Sequence, residues 1–300
     1  MTTIAFLGTG LMGTGFIRRA RANGLTVRAW NRSAAKAQAL AANDAGVTAC
    51  ASVAEAVRGA ERIHLSLSDD ASVDAVLEPL AGALGKGTWI VDHTTTAVRP
   101  TAERVARWDA CGVRLVHAPV FMAPANCAEG TGWMLISGDP ARHQALQSAL
   151  QAMTGSLVYL GPQPERAAAF KLFGNLTLLG ILGVLGDVGR LAAAVGIDMK
   201  DAFSLFEHFN PGQTLPQRAK RISAGQYTPP SFEMSMARKD LRLMVEEAAR
   251  GGQTLAMGTG AGEVVGRGDC ALGGAVGCGG GGEGASLVAR FAGGFRGRRR

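Results

Sequence analysis

The fold of this chain is decided near its start, by the stretch Ile4-Ala5-Phe6-Leu7-Gly8-Thr9-Gly10-Leu11-Met12-Gly13. The apolar run before the first glycine predicts a buried strand, and a helix-like segment follows to about Ala22. Between them lies the pattern Gly-x-Gly-x-x-Gly: the first glycine permits a tight turn, the second admits a pyrophosphate, and the third lets the helix pack on the strand. The helix N-terminus then offers free N–H groups to phosphates. The stretch predicts dinucleotide binding through Gly8, Gly10, Leu11, Met12 and Gly13, with a purely structural turn as the alternative.

The end of the second predicted strand bears on which dinucleotide is bound. This strand covers Leu25 to Trp30 and is followed by Asn31-Arg32-Ser33. An acidic residue here binds the ribose 2′-OH of NAD, whereas an arginine accommodates the 2′-phosphate of NADP. Because Arg32 is present and a carboxylate is not, we expect NADP rather than NAD, with NAD possible. Ser33 could also cap the next helix, and both roles can hold.

Strand and helix patterns alternate up to about residue 160, which predicts a Rossmann-type, doubly wound parallel sheet with helices on both faces. Ligands of such sheets bind at the carboxyl ends of the strands. We therefore expect Leu67, Ser68 and the segment Asp92-His93-Thr94-Thr95-Thr96 on the cofactor side. The threonines could instead end a strand and cap the following helix. Residues 121–129 are predicted to form a loop.

A change of pattern after the cluster Gly161-Pro162-x-Pro164 predicts a domain boundary. Residues 1–162 are assigned to the dinucleotide-binding domain and 163–254 to an all-helical second domain. Its first helix, from Glu165 to Val195, contains fifteen consecutive uncharged residues between Lys171 and Asp187. A membrane span needs about twenty. A helix buried against another domain or subunit is therefore favoured over a membrane span.

The last part of the chain, residues 255–300, differs in composition from everything before it. It is glycine-rich: residues 251–300 hold 18 of the 42 glycines. Neither the helical nor the strand period continues there. We expect this tail to be disordered, and one possible cause is a frame-shifted end of the gene.

Composition restricts the function classes. The chain has 300 residues, 47% of them hydrophobic, and a formal net charge of +7. That charge, without a basic patch interleaved with aromatic residues, gives no argument for nucleic acid. The five cysteines show no metal-binding spacing, and the start has no secretory signal pattern. A cytoplasmic protein with free thiols and no metal is expected.

Several ordered motifs together resemble the β-hydroxyacid dehydrogenases, the family of 3-hydroxyisobutyrate dehydrogenase, with an NAD(P)-binding domain of the 6-phosphogluconate dehydrogenase type. The resemblance covers about residues 3–254. The motifs that carry it are the opening glycine loop, Asp92-His-Thr-Thr95, Ala118-Pro119-Val120, Gly130-Thr131, Lys171-Leu-Phe-Gly-Asn175 and Arg238-Lys239-Asp240-Leu241.

This resemblance implies roles for particular residues. Lys171 would be the catalytic lysine and Asn175, one helical turn on, would orient the substrate. Leu67, Ser68 and Thr95 would line the cofactor, and Lys239 would lie near its nicotinamide end. The substrate is expected against Thr94, Phe121, Met122, Ala123, Lys171 and Asn175. A homodimer or homotetramer built on the helical domain is also implied.

The chain departs from the family pattern after Ala118-Pro119-Val120. The family usually has Ser-Gly-Gly there, which holds the substrate carboxylate, whereas this chain has Phe121-Met122-Ala123. Bulky apolar side chains cannot donate hydrogen bonds and narrow the pocket, so the usual hydroxyacids are doubtful substrates.

Together these features predict an NADP-dependent oxidoreductase that transfers a hydride between the cofactor and the hydroxyl or carbonyl group of a small hydroxyacid or semialdehyde. No membrane or nucleic-acid partner is expected. Carbonyl reduction needs a proton donor, and Lys171 is suitable because its apolar neighbours would lower its pKa. The alternatives are a non-catalytic dinucleotide-binding module and an imine reductase-like activity on the same fold.

Overall fold

The computed structural model describes residues 2–225 and 233–257, in which strands and helices alternate at first and helices follow alone. The alternating part comprises β1 (Thr3–Leu7), α1 (Leu11–Ala22), β2 (Thr26–Trp30), α2 (Ala34–Asn43), β3 (Val47–Ala49), α3 (Val53–Val57), β4 (Arg62–Leu65), α4 (Asp70–Leu77), β5 (Trp89–Asp92), α5 (Val98–Ala110), β6 (Arg114–His117), β7 (Val120–Phe121), α6 (Pro124–Glu129), β8 (Trp133–Ile136), α7 (Pro140–Gln151) and β9 (Ser156–Tyr159).

Six parallel strands form the main sheet in the order β3-β2-β1-β4-β5-β6. This order places the chain reversal between β1 and β4, the position at which doubly wound sheets bind their ligands. Leu7 at the end of β1 pairs with Trp30 of β2 and Leu65 of β4, and Leu65 pairs with Asp92 of β5. The segments after these four strands therefore begin at one level of the same edge. The predicted fold class is confirmed.

The core is divided between the two faces of this sheet because neighbouring residues of a strand point to opposite sides. Ile4 and Phe6 of β1 are buried with apolar residues of α1, α6 and α7 on one face. Ala5 and Leu7 are buried with apolar residues of α3, α4 and α5 on the other. With both faces covered, β1 is apolar throughout its buried length, as the sequence pattern predicted.

A second, three-stranded sheet follows in the order β7-β8-β9, with β7 antiparallel to β8. The predicted loop over 121–129 is wrong over most of its length, because Phe121 belongs to β7 and α6 forms over Pro124–Glu129. Pro124 is the first residue of α6, the Asn126 side chain accepts a hydrogen bond from the Ala123 N–H, and Gly130 ends the helix in the left-handed conformation. These are ordinary helix start and stop residues.

The structure divides into two compact units, one ending at Leu176 and one beginning at Thr177. The division falls inside the long helix α8 (Arg166–Ala194), whereas the sequence placed a boundary at 162/163. The later elements are α9 (Met199–His208), α10 (Leu215–Ser223) and α11 (Met234–Arg250). The C-terminal part is thus helical, as predicted.

Helix α8 is unusually apolar for a helix with so many exposed residues. Among the described helices it alone is long and apolar enough to cross a membrane by length and composition, and only 6% of its most apolar window is buried. Its large exposed side chains are Phe170, Leu172, Phe173, Leu176, Leu178, Leu179, Ile181, Leu182 and Val184. The predicted burial of this helix is therefore not provided by the described residues.

The described chain ends with an ordered contact in the second unit. The buried carboxylate of Asp187 accepts hydrogen bonds from the backbone N–H groups of Ala256 and Met257, and Leu255 is buried. Packed structure therefore continues three residues past Thr254. The rest of the predicted glycine-rich tail, 258–300, lies outside the described residues.

Candidate active site

Each glycine of the first loop has the environment that its predicted role requires. Gly8 has a φ of +101°, and a Cβ there would lie 2.2 Å from the Ser66 carbonyl oxygen. A Cβ at Gly13 would lie 2.0 Å from the Gly8 carbonyl oxygen, so its absence lets α1 pack on β1. Gly10 caps the N-terminus of α1, and a Cβ there would meet nothing within 4 Å. Gly10 thus borders open space where α1 offers free N–H groups.

A cleft of about 410 Å³ opens at this loop. Its walls come from the start of α1, from Lys36 of α2 and from α6, with Leu11 of the loop 79% exposed. A further glycine, Gly15, allows α6 to approach α1, because a Cβ there would lie 2.7 Å from Cys127 Cβ and 2.7 Å from the Pro124 carbonyl oxygen. Sequence analysis missed this contact because it depends on α6, which was predicted as loop.

The end of β2 is tied to the glycine loop by Asn31. Its Oδ1 accepts a hydrogen bond from the Thr9 N–H at 2.9 Å, and its Nδ2 donates to the Ser33 carbonyl oxygen at 3.1 Å. Ser33 occupies the N-cap position of α2, but its hydroxyl makes no capping hydrogen bond. Arg32 is exposed. The sequence interpretation overlooked Lys36 in the first turn of α2, which adds a second positive charge beside the exposed helix N-terminus.

The residues after β4 and β5 that were predicted to contact cofactor or substrate differ in how far their side chains are exposed. Ser68 lies with its hydroxyl 2.7 Å from that of Ser72, and Thr95 is exposed. Thr94, by contrast, is 2% exposed, and its Oγ1 accepts a hydrogen bond from the Leu67 N–H at 3.0 Å. Thr94 therefore fixes the backbone of Leu67, and its hydroxyl is already engaged in the protein.

Lys171 and Phe121 are brought together in the first unit. The Lys171 Nζ lies 4.4 Å from the centre of the Phe121 ring, and burial lowers the pKa of this ammonium below its usual range. Lys171 makes no ion pair or hydrogen bond with any residue that the structure describes. Asn175 lies one turn further along α8 and is half-buried. A half-buried lysine without a carboxylate partner is suited to proton transfer.

A row of sulfur atoms connects the glycine loop with the segment 121–123. Cys127 Sγ of α6 lies 4.0 Å from Met12 Sδ and 3.7 Å from Met122 Sδ. Cys127 is fully buried, and burial raises the pKa of its thiol to about 11, so it is a packing residue and not a thiolate. The predicted cofactor loop and the predicted substrate segment are therefore in contact through α6.

Lys239 belongs to the second unit. It is an exposed residue of α11, with its Nζ 3.0 Å from Asp240 Oδ1. Its predicted place near the nicotinamide stays a prediction.

Comparison with known proteins places this geometry in a family. Residues 3–161 match the family model of the NAD-binding domain of 6-phosphogluconate dehydrogenase. The chain belongs to the β-hydroxyacid dehydrogenase family. The resemblance seen in the sequence is confirmed. The prediction of a nicotinamide dinucleotide as the cofactor is confirmed with it.

Relatives of this chain differ in the function that their names state. A probable 3-hydroxyisobutyrate dehydrogenase of Mycobacterium tuberculosis is 25% identical over 273 residues, 88% of this chain and 91% of the relative. Human cytokine-like nuclear factor N-PAC is 28% identical over 249 residues, 81% of this chain. The match spans only 44% of N-PAC, less than half of that relative's length.

Solved structures confirm the fold of this family member. An imine reductase from Myxococcus stipitatus in complex with NADP+ superposes with a TM-score of 0.86 at 17% identity, covering 96% of this chain and 98% of the reductase. At this identity the likeness concerns the fold alone.

Behind the ends of the strands that form the cofactor edge lies a buried histidine pair that sequence analysis did not foresee. His64 Nδ1 lies 3.0 Å from His93 Nε2, and His93 Nδ1 lies 2.7 Å from the Ala118 carbonyl oxygen. Because a carbonyl can only accept, His93 donates through Nδ1. A neutral His93 then accepts at Nε2 from the Nδ1–H of His64. Burial lowers the pKa of His93 to about 4 and that of His64 well below its usual range. His64 lies in β4 and His93 directly follows β5, so the contact depends on the register of these neighbouring strands.

Proposed function

We propose that this protein is an NADP-dependent oxidoreductase that transfers a hydride between the cofactor and the hydroxyl or carbonyl carbon of a small substrate, with Lys171 as acid and base. The observation that carries the proposal is the half-buried Lys171 ammonium, which faces an aromatic ring, has no acidic partner among the described residues and has a lowered pKa. Burial and the absence of a carboxylate both make its proton easier to release.

The residues of this chain have separate tasks in such a reaction. The nicotinamide, when bound, supplies or accepts the hydride. During carbonyl reduction negative charge develops on the substrate oxygen, and the Lys171 ammonium stabilises it and gives it a proton. During oxidation the neutral amine accepts the hydroxyl proton. Asn175, on the same face of α8, can hold the substrate oxygen through its amide N–H.

The preference for NADP rests on the N-terminus of α2. Arg32, the uncapped hydroxyl of Ser33 and Lys36 gather two positive charges and a hydroxyl at an exposed helix start, which suits a dianionic phosphate. Asn31 would not substitute for the carboxylate that an NAD ribose favours, because both ends of its amide are engaged.

A second candidate is the reduction of imines. It is supported by the fold likeness to an imine reductase and by the apolar side chains of Phe121 and Met122. An iminium carbon, however, accepts a hydride without a proton donor, and a lysine ammonium would repel its positive charge. Loss of Lys171 should therefore spare imine reduction and strongly slow carbonyl reduction.

The experiment that tests the function is a screen of cofactor oxidation with NADPH and NADH against C2–C5 semialdehydes, 2-oxo acids and cyclic imines. On the best carbonyl substrate, Lys171→Ala should lower kcat by about 10²–10⁴, with NADPH affinity changed by no more than a few-fold. Lys171→Arg should not restore activity, because guanidinium does not give up its proton. Lys86→Ala, which removes an exposed lysine before β5, is the matched control and should retain activity.

Absence of turnover with every carbonyl and imine, in a protein that still binds NADPH, would favour the non-catalytic dinucleotide-binding module. If Lys171→Ala instead keeps more than a tenth of wild-type kcat, Lys171 is not the acid.

The assembly that we propose is a cytoplasmic homodimer or homotetramer in which a second copy covers α8. The support is the row of exposed leucine, isoleucine and phenylalanine side chains on this helix, since apolar patches of this kind mark interaction surfaces. Light scattering after size exclusion should give a mass at least twice that of the chain. A monomer without detergent would contradict the assembly.

A further inference from the structure

The ring of Phe121 packs against α8 at Gly174 and Lys171. Lys171 and Gly174 are three residues apart and so share one face of the helix. The Lys171 Nζ is 4.4 Å from the ring centre. A Cβ on Gly174 would lie 2.2 Å from Phe121 Cζ and 2.4 Å from Cε1. The ring can therefore lie against the helix backbone only because residue 174 has no side chain.

The segment that presents this ring is fixed on both sides. Phe121 pairs with Trp133 in the antiparallel ladder between β7 and β8. Gly132, at a φ of +80°, leaves room for the Phe121 carbonyl oxygen, which a Cβ would approach to 2.9 Å. On the other side, Met122 Sδ packs 3.7 Å from Cys127 Sγ. The position of the ring is therefore set by the fold and not by the free rotation of a loop.

We propose that Phe121 is a positioning residue for Lys171. Gly174 leaves the space on α8 in which the Phe121 ring can lie beside the lysine. The ring face attracts the ammonium and holds it at one point of α8. The same ring presents carbon atoms where a substrate carboxylate would need a donor. This inference rests on the proposed function and narrows it: the preferred substrate is an aldehyde or ketone without a carboxylate next to the reacting carbon.

Two opposing effects on Lys171 make the inference testable. Burial disfavours its charged form, whereas the aromatic ring favours it. Phe121→Leu keeps the apolar volume and removes the ring. The apparent pKa of Lys171 should then fall by about 0.5 to 1.5 units, and the alkaline limb of the kcat–pH profile for carbonyl reduction should shift down equally.

Three matched variants complete the test. Phe121→Tyr keeps the ring and should leave the alkaline limb in place. Gly174→Ala displaces the ring without altering either partner and should lower kcat and move the limb as Phe121→Leu does. Phe209→Leu removes an exposed phenylalanine that follows α9 and should change neither kcat nor the alkaline limb.

A second readout does not depend on turnover. The pH dependence of acetylation at Lys171, followed by mass spectrometry in the full chain, gives the same pKa directly. A difference of less than 0.2 units between the wild type and Phe121→Leu overturns the inference by either readout. If no substrate is turned over, the proposed function fails while the acetylation profile still decides the role of Phe121. If Gly174→Ala does not fold, the comparison of the Leu and Tyr variants at 121 is sufficient.

Discussion

Acidification should destabilise the first unit through its buried histidines, and His93 allows the effect to be measured. Its pKa is about 4 in the folded protein against 6.5 for an ordinary histidine. Between these values the unfolded chain binds a proton that the folded chain does not. The free energy of unfolding therefore falls as the pH is lowered from about 6.5 towards 4 and is fully retained above 6.5.

The size of the loss follows from the same two pKa values. At pH 5 protonation of His93 raises the unfolding equilibrium constant about 30-fold over its value at neutral pH, which lowers the free energy of unfolding by about 2 kcal/mol. Below pH 4 this loss approaches about 3 kcal/mol. Burial also lowers the pKa values of His64 and His117, which adds to the loss. The buried carboxyl of Asp92 acts in the opposite sense because burial raises its pKa. Arg104 remains charged throughout this range.

Urea unfolding at pH 7.5 and pH 5.0, followed by tryptophan fluorescence, is the suitable assay. All four tryptophans, at positions 30, 89, 108 and 133, lie in the first unit, so the signal reports on that unit. His93→Gln cannot titrate and should lose about 2 kcal/mol less than the wild type between the two pH values. His208→Gln, at an exposed position of α9, is the control. Equal losses in the wild type and His93→Gln would refute the reasoning.

Three further outcomes are expected. Arg32→Ala should raise the KM for NADPH by about ten- to a hundredfold, since a hydrogen bond to a charged group contributes about 1.5–3 kcal/mol, and Lys36→Ala should act in the same direction; an equal effect on NADH would contradict the phosphate site. Ser-Gly-Gly at 121–123 should improve the kcat/KM for 3-hydroxyisobutyrate-like acids, a prediction that is wrong if the unaltered protein already exceeds about 10⁴ M⁻¹s⁻¹. Gly15→Ala should destabilise the fold by about 1–3 kcal/mol in urea unfolding because it overpacks the α1–α6 contact. Gly10→Ala should leave stability unchanged and weaken NADPH binding. A larger loss of stability in Gly10→Ala than in Gly15→Ala would disprove both roles.

The glycine loop could be predicted from the sequence because its constraints are local. The positive φ of Gly8 and the close approach at Gly13 follow from a strand that turns directly into a helix. The alternation of strands and helices likewise determines a parallel sheet. Helix α6 was missed although Pro124 and Gly130 are start and stop residues, because the segment is too short to show a period.

Contacts that depend on register or on packing between elements could not be predicted. The His64–His93 pair requires β4 and β5 to be neighbours with a particular alignment. The packing of the Phe121 ring requires a glycine on α8, a helix far from it in the sequence. The engaged hydroxyl of Thr94 is similar: its residue type is compatible with substrate binding, and only its burial shows that it supports Leu67.

The two hydrogen bonds of Asn31 bear on how the proposed preference for NADP could change in evolution. The simplest route from NADP to NAD places a carboxylate at the end of β2. In Asn31→Asp, one carboxylate oxygen could still accept from the Thr9 N–H, but the other would face the Ser33 carbonyl oxygen, to which Nδ2 now donates. Two acceptors about 3 Å apart repel each other unless a proton or water intervenes. A change from the proposed NADP preference to NAD would therefore require the backbone between Asn31 and Ser33 to rearrange, so the Asn31 amide opposes that change in addition to Arg32.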